Sequence, residues 1–198
     1  ALVSDNPLLS LVTQHILRKS GKLMRPMLVL LTAKLLGEVN EATYRAALSL
    51  ELLHNASLVH DDVVDDSDER RGQSSVNALF NNQVAVLSGD YLLASALLQV
   101  SQTQNLEIVR TVSQLGQDLA DGELLQLANV GNDSFAESIY YEKKKKKTAV
   151  LFAACTKAGA LSVGATPEQV EKARLFGEYV GLCFQIRDDI FDYFDDNI

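Results

Sequence analysis

Residues 46–65 read AALSLELLHNASLVHDDVVD, an apolar run that passes straight into carboxylates at Asp61, Asp62 and Asp65. Alanine and leucine dominate the run, which is helix composition. From Ala46 to Val59 it leaves no broad polar face for solvent. A helix that is apolar nearly all round belongs in the middle of a bundle. The residues that break the pattern are therefore the informative ones: Glu51, His54, Asn55, Ser57 and His60.

The flanking sequence has the same character. Long Leu/Ala/Gln/Glu-rich stretches predict helices over 7–19, 25–37, 40–65, 75–80, 83–101, 104–128, 134–160 and 167–195, with almost no alternating strand pattern between them. Breaks fall at Ser20-Gly21, Gly37, Arg71-Gly72, Asn81-Asn82, Gly131-Asn132 and Gly164. Each of the three prolines, Pro7, Pro26 and Pro167, lies near a helix start, and Thr166-Pro167 reads as an N-cap followed by the first helical residue. The fold class is all-α, with no internal repeat and no linker.

Composition narrows the function. With 198 residues, 47% of them hydrophobic and 22% charged, the chain is long and apolar enough for a real core. A net charge of −8 argues against a nucleic-acid partner, which would need a basic face. Cys155 and Cys183 are too few for a stapled scaffold and read as buried free thiols of a reducing, cytoplasmic setting. No transmembrane segment is expected: the apolar stretch 23–36 carries Arg25, Pro26 and Lys34 and is too short.

The acids are unevenly placed. Residues 61–69 hold six and residues 188–196 hold five, so eleven of the 26 acids occupy eighteen positions. Each cluster opens with the spacing D-D-x-x-D: Asp61, Asp62, Asp65 and Asp188, Asp189, Asp192. On a helix these spacings bring three carboxylates toward one face. Two carboxylates about 5 Å apart repel by roughly 3 kcal/mol at an effective dielectric of 20, so protons or divalent cations must neutralise them. Oxygen-only ligands suit Mg2+, which takes one or two carboxylates and completes its shell with water and phosphates. A solvated acidic helix end would explain one cluster, but not two that each continue an apolar helix. Gln185 shares a stripe with Asp188 and Asp192, and Gly181 is expected to leave room above it.

Basic residues able to complete a diphosphate cage lie nearby in the sequence. Lys22 and Arg25 sit at a helix start, where backbone N–H groups also favour anions. Arg70 and Arg71 follow the first acidic cluster, and His54 lies seven residues before Asp61. Five lysines at 143–147 circle a helix, so most are solvated, with Lys147 best placed to face inward.

Together, G-K-x-x-R-P at 21–26, His54, D-D-x-x-D with R-R-G at 61–72, K-T at 147–148 and Q-x-x-D-D-x-x-D at 185–192 resemble the trans-isoprenyl diphosphate synthase (polyprenyl synthetase) family, long-chain type. The resemblance runs over the whole chain in family order. It implies a bundle of mostly antiparallel helices around a deep cavity, usually a homodimer, that condenses isopentenyl diphosphate onto an allylic diphosphate such as farnesyl diphosphate. By resemblance, Lys22, Arg25, His54 and Arg71 hold isopentenyl diphosphate. Arg70, Lys147, Thr148 and Gln185 contact the allylic diphosphate. Asp61, Asp62, Asp65, Asp188, Asp189 and Asp192 bind Mg2+, and the catalytic set is Asp61, Asp62, Asp65, Lys147, Asp188 and Asp189. Family members also extend further at both ends, so residues 1–198 are expected to be a single domain truncated at its C-terminus and at its N-terminus.

Other readings remain at this point: a non-catalytic partner subunit, a terpene cyclase on the same fold, or an acidic Mg2+-binding scaffold. The intact acidic triads with Lys22, Arg25 and Arg70 disfavour the first, the set Lys22, Arg25, His54 and Arg71 disfavours the second, and the paired spacing is left unexplained by the third. In the family, bulky residues just upstream of the first acidic cluster stop chain growth. Those positions here are Ala56 and Ser57, small enough for long products. Ala56→Phe or Ser57→Phe is expected to shorten the product, as chromatography of the released prenyl chains would read.

Overall fold

The computed structural model describes residue 2 and residues 5–18, 23–70, 72–129 and 136–195, without the side chains of 126, 129, 136–146, 188, 189 and 192–195. Within these residues run α1 (Pro7–Arg18), α2 (Met24–Leu36), α3 (Glu41–Val64), α4 (Val76–Leu79), α5 (Asn82–Ser101), α6 (Leu106–Asn129), α7 (Ala136–Ser162) and α8 (Pro167–Asp195). The all-α expectation holds, with boundaries within two residues of those read from the sequence. One feature has no counterpart in that expectation. A two-residue hairpin, β1 (Glu69–Arg70) and β2 (Gln73–Ser74), follows α3 and pairs Glu69 with Ser74 and Arg70 with Gln73. Strands this short carry no alternation to read.

Local chemistry starts the helices. Asn40 and Thr43 form a reciprocal capping box at α3, and Asn81 accepts from Val84 N at 2.8 Å at α5. At α8, Thr166 N donates to Gln169 Oε1 at 2.9 Å while Gln169 N donates to Thr166 Oγ1 at 3.3 Å. That is the cap the Thr-Pro sequence predicts.

Helix α3 runs through the centre, with Ala46, Leu50, Leu53, Ala56 and Val59 buried. Helix α5 lies along it in the opposite direction: Ser49 Oγ donates to Ala96 O at 2.8 Å near one end, and His60 Nε2 meets Val86 O at 3.1 Å near the other. Helix α7 covers another side, and Thr43 Oγ1 and Ser162 Oγ share a buried hydrogen bond of 2.8 Å.

Two expectations are corrected. Gly181 does not leave room beside the second acidic cluster. A Cβ there would stand 2.7 Å from Ala149 Cα, so the glycine lets α8 lie directly on α7. Cys155 is buried, and burial pushes its thiol up to about 12, but Cys183 is exposed. Helix α5 is long and apolar enough to cross a bilayer by length and composition alone, a test that a core helix also passes. Here it contributes Ala85, Leu92, Ala96 and Val100 to the core while Val86, Leu87, Leu97 and Leu98 face outward.

Gly177 makes the same close approach as Gly181: a Cβ would meet Phe152 O at 2.5 Å and Ala153 Cα at 2.9 Å. Gly177→Ala is expected to cost about 1–3 kcal/mol in urea unfolding, because backbone cannot step aside as a side chain can. Gly122 in α6 has nothing within 4 Å of its Cβ position, so Gly122→Ala should instead stabilise by about 0.5–1 kcal/mol.

Candidate active site

Asp61 lies in the last turn of α3 and meets a cation from across the bundle. Lys147 Nζ of α7 donates to Asp61 Oδ2 at 2.9 Å and to Glu123 Oε1 of α6 at 2.6 Å. Three helices thus converge on one shared ammonium. Of the five adjacent lysines, Lys147 is indeed partly buried; the side chains of 143–146 lie outside the described residues.

Two carboxylates for one cation leave a net negative site. Burial pushes the Asp61 carboxyl above its ordinary value against the pull of Lys147, and the charges of Glu123 and Asp65 push the same way. Burial lowers the Lys147 ammonium, but the hydrogen bonds from Glu123 and Asp61 and their charges outweigh it, and the net direction is up.

Beside this group opens a cavity of about 330 Å3 lined by Leu53, Ala56, Ser57, His60, Leu93, Gly116 and Leu119, among others. The lining joins the polar His60, Asp61, Glu123 and Lys147 to apolar residues that include Leu53 and Gly116, with Leu53 Cδ1 3.8 Å from the Gly116 Cβ position. Eight residues of helix separate Leu53 from Asp61, about 12 Å along the axis. Ala56 and Ser57 lie on this wall.

Asp62 points elsewhere. It is 3% exposed and is held by Arg70, with Nε to Oδ1 at 2.8 Å and Nη2 to Oδ1 at 2.7 Å. A separate cavity of about 70 Å3 lies here, lined by His15, Asn55, Asp62, Arg70, Gln73 and neighbours. The expectation that Asp61, Asp62 and Asp65 share one face is therefore corrected. Successive helical residues diverge by about 100°, and Arg70 draws Asp62 to its own side. Asp65 is the exposed C-cap of α3. Among the described residues, no group of three His, Cys, Asp or Glu is placed to hold a metal ion.

The remaining expected site residues are scattered. Arg25 is engaged with Glu51, Nε to Oε2 at 2.9 Å, in the seam between α2 and α3. His54 is half-buried on α3 and is not among the residues lining either cavity. Thr148 Oγ1 donates to Gln185 Oε1 at 3.2 Å, joining α7 to α8. Lys22 and Arg71 lie outside the described residues, as do the side chains of Asp188, Asp189 and Asp192. Glu123 is not singled out by sequence reasoning, because among Asp118, Asp121 and Glu123 nothing local marks the one that turns inward.

The architecture defines a helical bundle with an acidic, lysine-bridged mouth over an apolar cavity. The chain belongs to the polyprenyl synthetase family, whose model matches residues 6–198. It is 36% identical over 192 residues to octaprenyl diphosphate synthase of Escherichia coli K12, covering 97% of this chain and 59% of that protein. The solved structure of a decaprenyl diphosphate synthase from Rhodobacter capsulatus superposes with a TM-score of 0.89 at 38% identity, over 97% of this chain and 59% of that one. Geranylgeranyl pyrophosphate synthase from Bacteroides thetaiotaomicron is 57% identical with a TM-score of 0.79, over 95% of this chain and 58% of that one. The chain thus spans under two thirds of the length of these relatives.

Because the folded state raises the Asp61 pKa, folding binds a proton more readily than the unfolded chain does. Ionised Asp61 therefore costs stability as pH rises above its ordinary 3.8. Asp61→Asn is expected to raise the urea midpoint at pH 7, and the gain should close as pH falls below about 3.8.

Proposed function

We propose that this chain serves a Mg2+-dependent prenyl transferase that condenses isopentenyl diphosphate onto an allylic diphosphate such as farnesyl diphosphate, building a long-chain all-trans polyprenyl diphosphate. The observation that carries the reading is the mostly apolar cavity of about 330 Å3 whose lining includes Asp61, Glu123 and Lys147. It offers charge handling beside an apolar space for a growing hydrocarbon.

The residues suit the chemistry. Asp61 and Asp65, one helical turn apart, supply the one or two carboxylates that Mg2+ takes when phosphates complete its shell. When bound, Mg2+ would neutralise the charge developing on the departing diphosphate. Lys147 aims a second positive charge at the same place, and its link to Glu123 holds it there when Asp61 is engaged elsewhere. The leucines and alanines of the wall exclude water that would quench an allylic cation. The proton lost after attack by the isopentenyl double bond passes to the released diphosphate, so no protein base is required. By family resemblance, Asp62, Asp188, Asp189 and Asp192 are further metal ligands. Lys22, Arg25, His54 and Arg71 would hold isopentenyl diphosphate, with Arg70, Thr148 and Gln185 at the allylic diphosphate. In that arrangement Arg25 and Arg70 exchange their carboxylate partners for phosphate.

Long products are supported by the small Ala56 and Ser57 on the wall and by likeness to octaprenyl and decaprenyl diphosphate synthases. One observation favours a shorter product, the 57% identity to a geranylgeranyl pyrophosphate synthase. A homodimer is supported by the outward leucines of α5, which a second copy would cover. A reducing, cytoplasmic setting is supported by the free thiols of Cys155 and Cys183.

The test is incubation with farnesyl diphosphate and labelled isopentenyl diphosphate, with Mg2+ or with chelator. A Mg2+-dependent ladder ending at one long chain is expected, whereas a ladder stopping at geranylgeranyl length would select the shorter reading. No incorporation by folded protein that binds Mg2+ and diphosphate would turn the assignment toward a cyclase or a partner subunit.

A further inference from the structure

Helix α6 turns an apolar face inward through Leu115 and Leu119, both buried, and Glu123 stands one turn further along that face. Its acidic neighbours Asp118 and Asp121 are exposed. A leucine at 123 would continue the row. The carboxylate there instead accepts from Lys147 Nζ at 2.6 Å, closer than Asp61 Oδ2 at 2.9 Å, with 24% of its side chain exposed. A part-buried ion pair adds little stability over apolar packing, so stability does not account for it.

An ammonium has three protons to donate. Asp61 takes one and Glu123 a second, which leaves one for a ligand. The two carboxylates come from different helices. When Asp61 turns to Mg2+, the flexible lysine side chain keeps Glu123, and two protons are free for phosphate oxygens while the third fixes where Nζ stands. Charge alone argues the other way, because a carboxylate beside the ammonium reduces its pull on a diphosphate. Glu123 therefore weakens the attraction and fixes the position.

We propose that Glu123 is a positioning residue for Lys147: it holds the ammonium beside the cavity once Asp61 has released it, aimed at the charge that develops on the departing diphosphate. The proposal rests on the prenyl-transferase reading for its substrates. It goes beyond that reading in giving a role to a residue that acts only through Lys147.

The test compares the full chain with Glu123→Gln, Glu123→Ala, Lys147→Ala and the double alanine variant, in steady-state kinetics with Mg2+ and both diphosphates. Glu123→Ala should lower kcat by about tenfold or more, as loss of an aligned group at a developing charge does. Its KM for the allylic diphosphate should be unchanged or lower, because a repelling charge is gone. Glu123→Gln keeps an acceptor oxygen and should recover most of the lost kcat. In the Lys147→Ala background, Glu123→Ala should change nothing further. A kcat loss that persists in that background, wild-type kcat from folded Glu123→Ala, or a raised KM with kcat unchanged overturns the proposal. Should Glu123→Ala not fold, Glu123→Leu takes its place, because leucine continues the face of Leu115 and Leu119.

A second readout needs no turnover. Trace acetylation of Lys147 by acetic anhydride, read by mass spectrometry, reports how firmly the amine is held. Added Mg2+ should leave labelling low in wild type and raise it several-fold in Glu123→Ala. An equal response to Mg2+ in the two proteins overturns the positioning role. No polymer from wild type, with the labelling contrast intact, strikes only the prenyl-transferase reading.

Discussion

A carboxylate at the end of a buried helix has to meet a cation, and α3 poses that problem at two adjacent residues. Asp61 and Asp62 diverge by about 100° around the helix axis, so one cation cannot serve both. Asp61 takes Lys147 from α7, and Asp62 takes Arg70 from the hairpin. Because Lys147 also binds Glu123, the first pairing ties α6 into the same junction. These ion pairs join α3, α6, α7 and the hairpin at this end of the bundle.

The junction is left short of positive charge. Asp61 and Glu123 share a single ammonium, and burial already disfavours ionised Asp61. Buried charge of this kind contributes little to stability even when paired, since desolvation offsets most of the attraction. Its presence beside an apolar cavity, rather than a filled core, is what makes function the better explanation. The protein gives up packing over about 330 Å3 and keeps an uncompensated carboxylate at the rim of that space.

Elsewhere the helices are brought close without such compromise. Glycines 177 and 181 place α8 on the backbone of α7, a seam of near-crystalline contact. Helix α5 is treated differently on its two faces. Its inner side locks to α3 through Ser49 and His60, while its outer side leaves Leu87 68% exposed and Leu98 57% exposed. One helix therefore lends Leu93 to the cavity wall and presents an apolar surface to the outside.

Much of this architecture is legible in the amino-acid sequence. Helix existence and limits are readable because capping residues, prolines and apolar composition act within a turn or two of where they stand. The central position of α3 is readable because an all-round apolar helix has one place to go. The spacing of the acidic clusters and the K-T pair is readable as chemistry, and Lys147 stands out among five lysines by the apolar pattern that follows it. The hairpin is not readable, since two residues per strand give no period. Nor is Glu123, which shares its charge and its helix with acids that face solvent. Gly181 reads as a vacancy beside a site, when it is a contact with another helix. The sequence by itself determined which segments are helical, which helix is central and which family of chemistry the residues suit, because those depend on local propensity, patterning and spacing. Only the tertiary structure decided which carboxylate faces the cavity and which cation each one takes. Those outcomes depend on side chains from helices far apart in sequence competing for the same few ångströms.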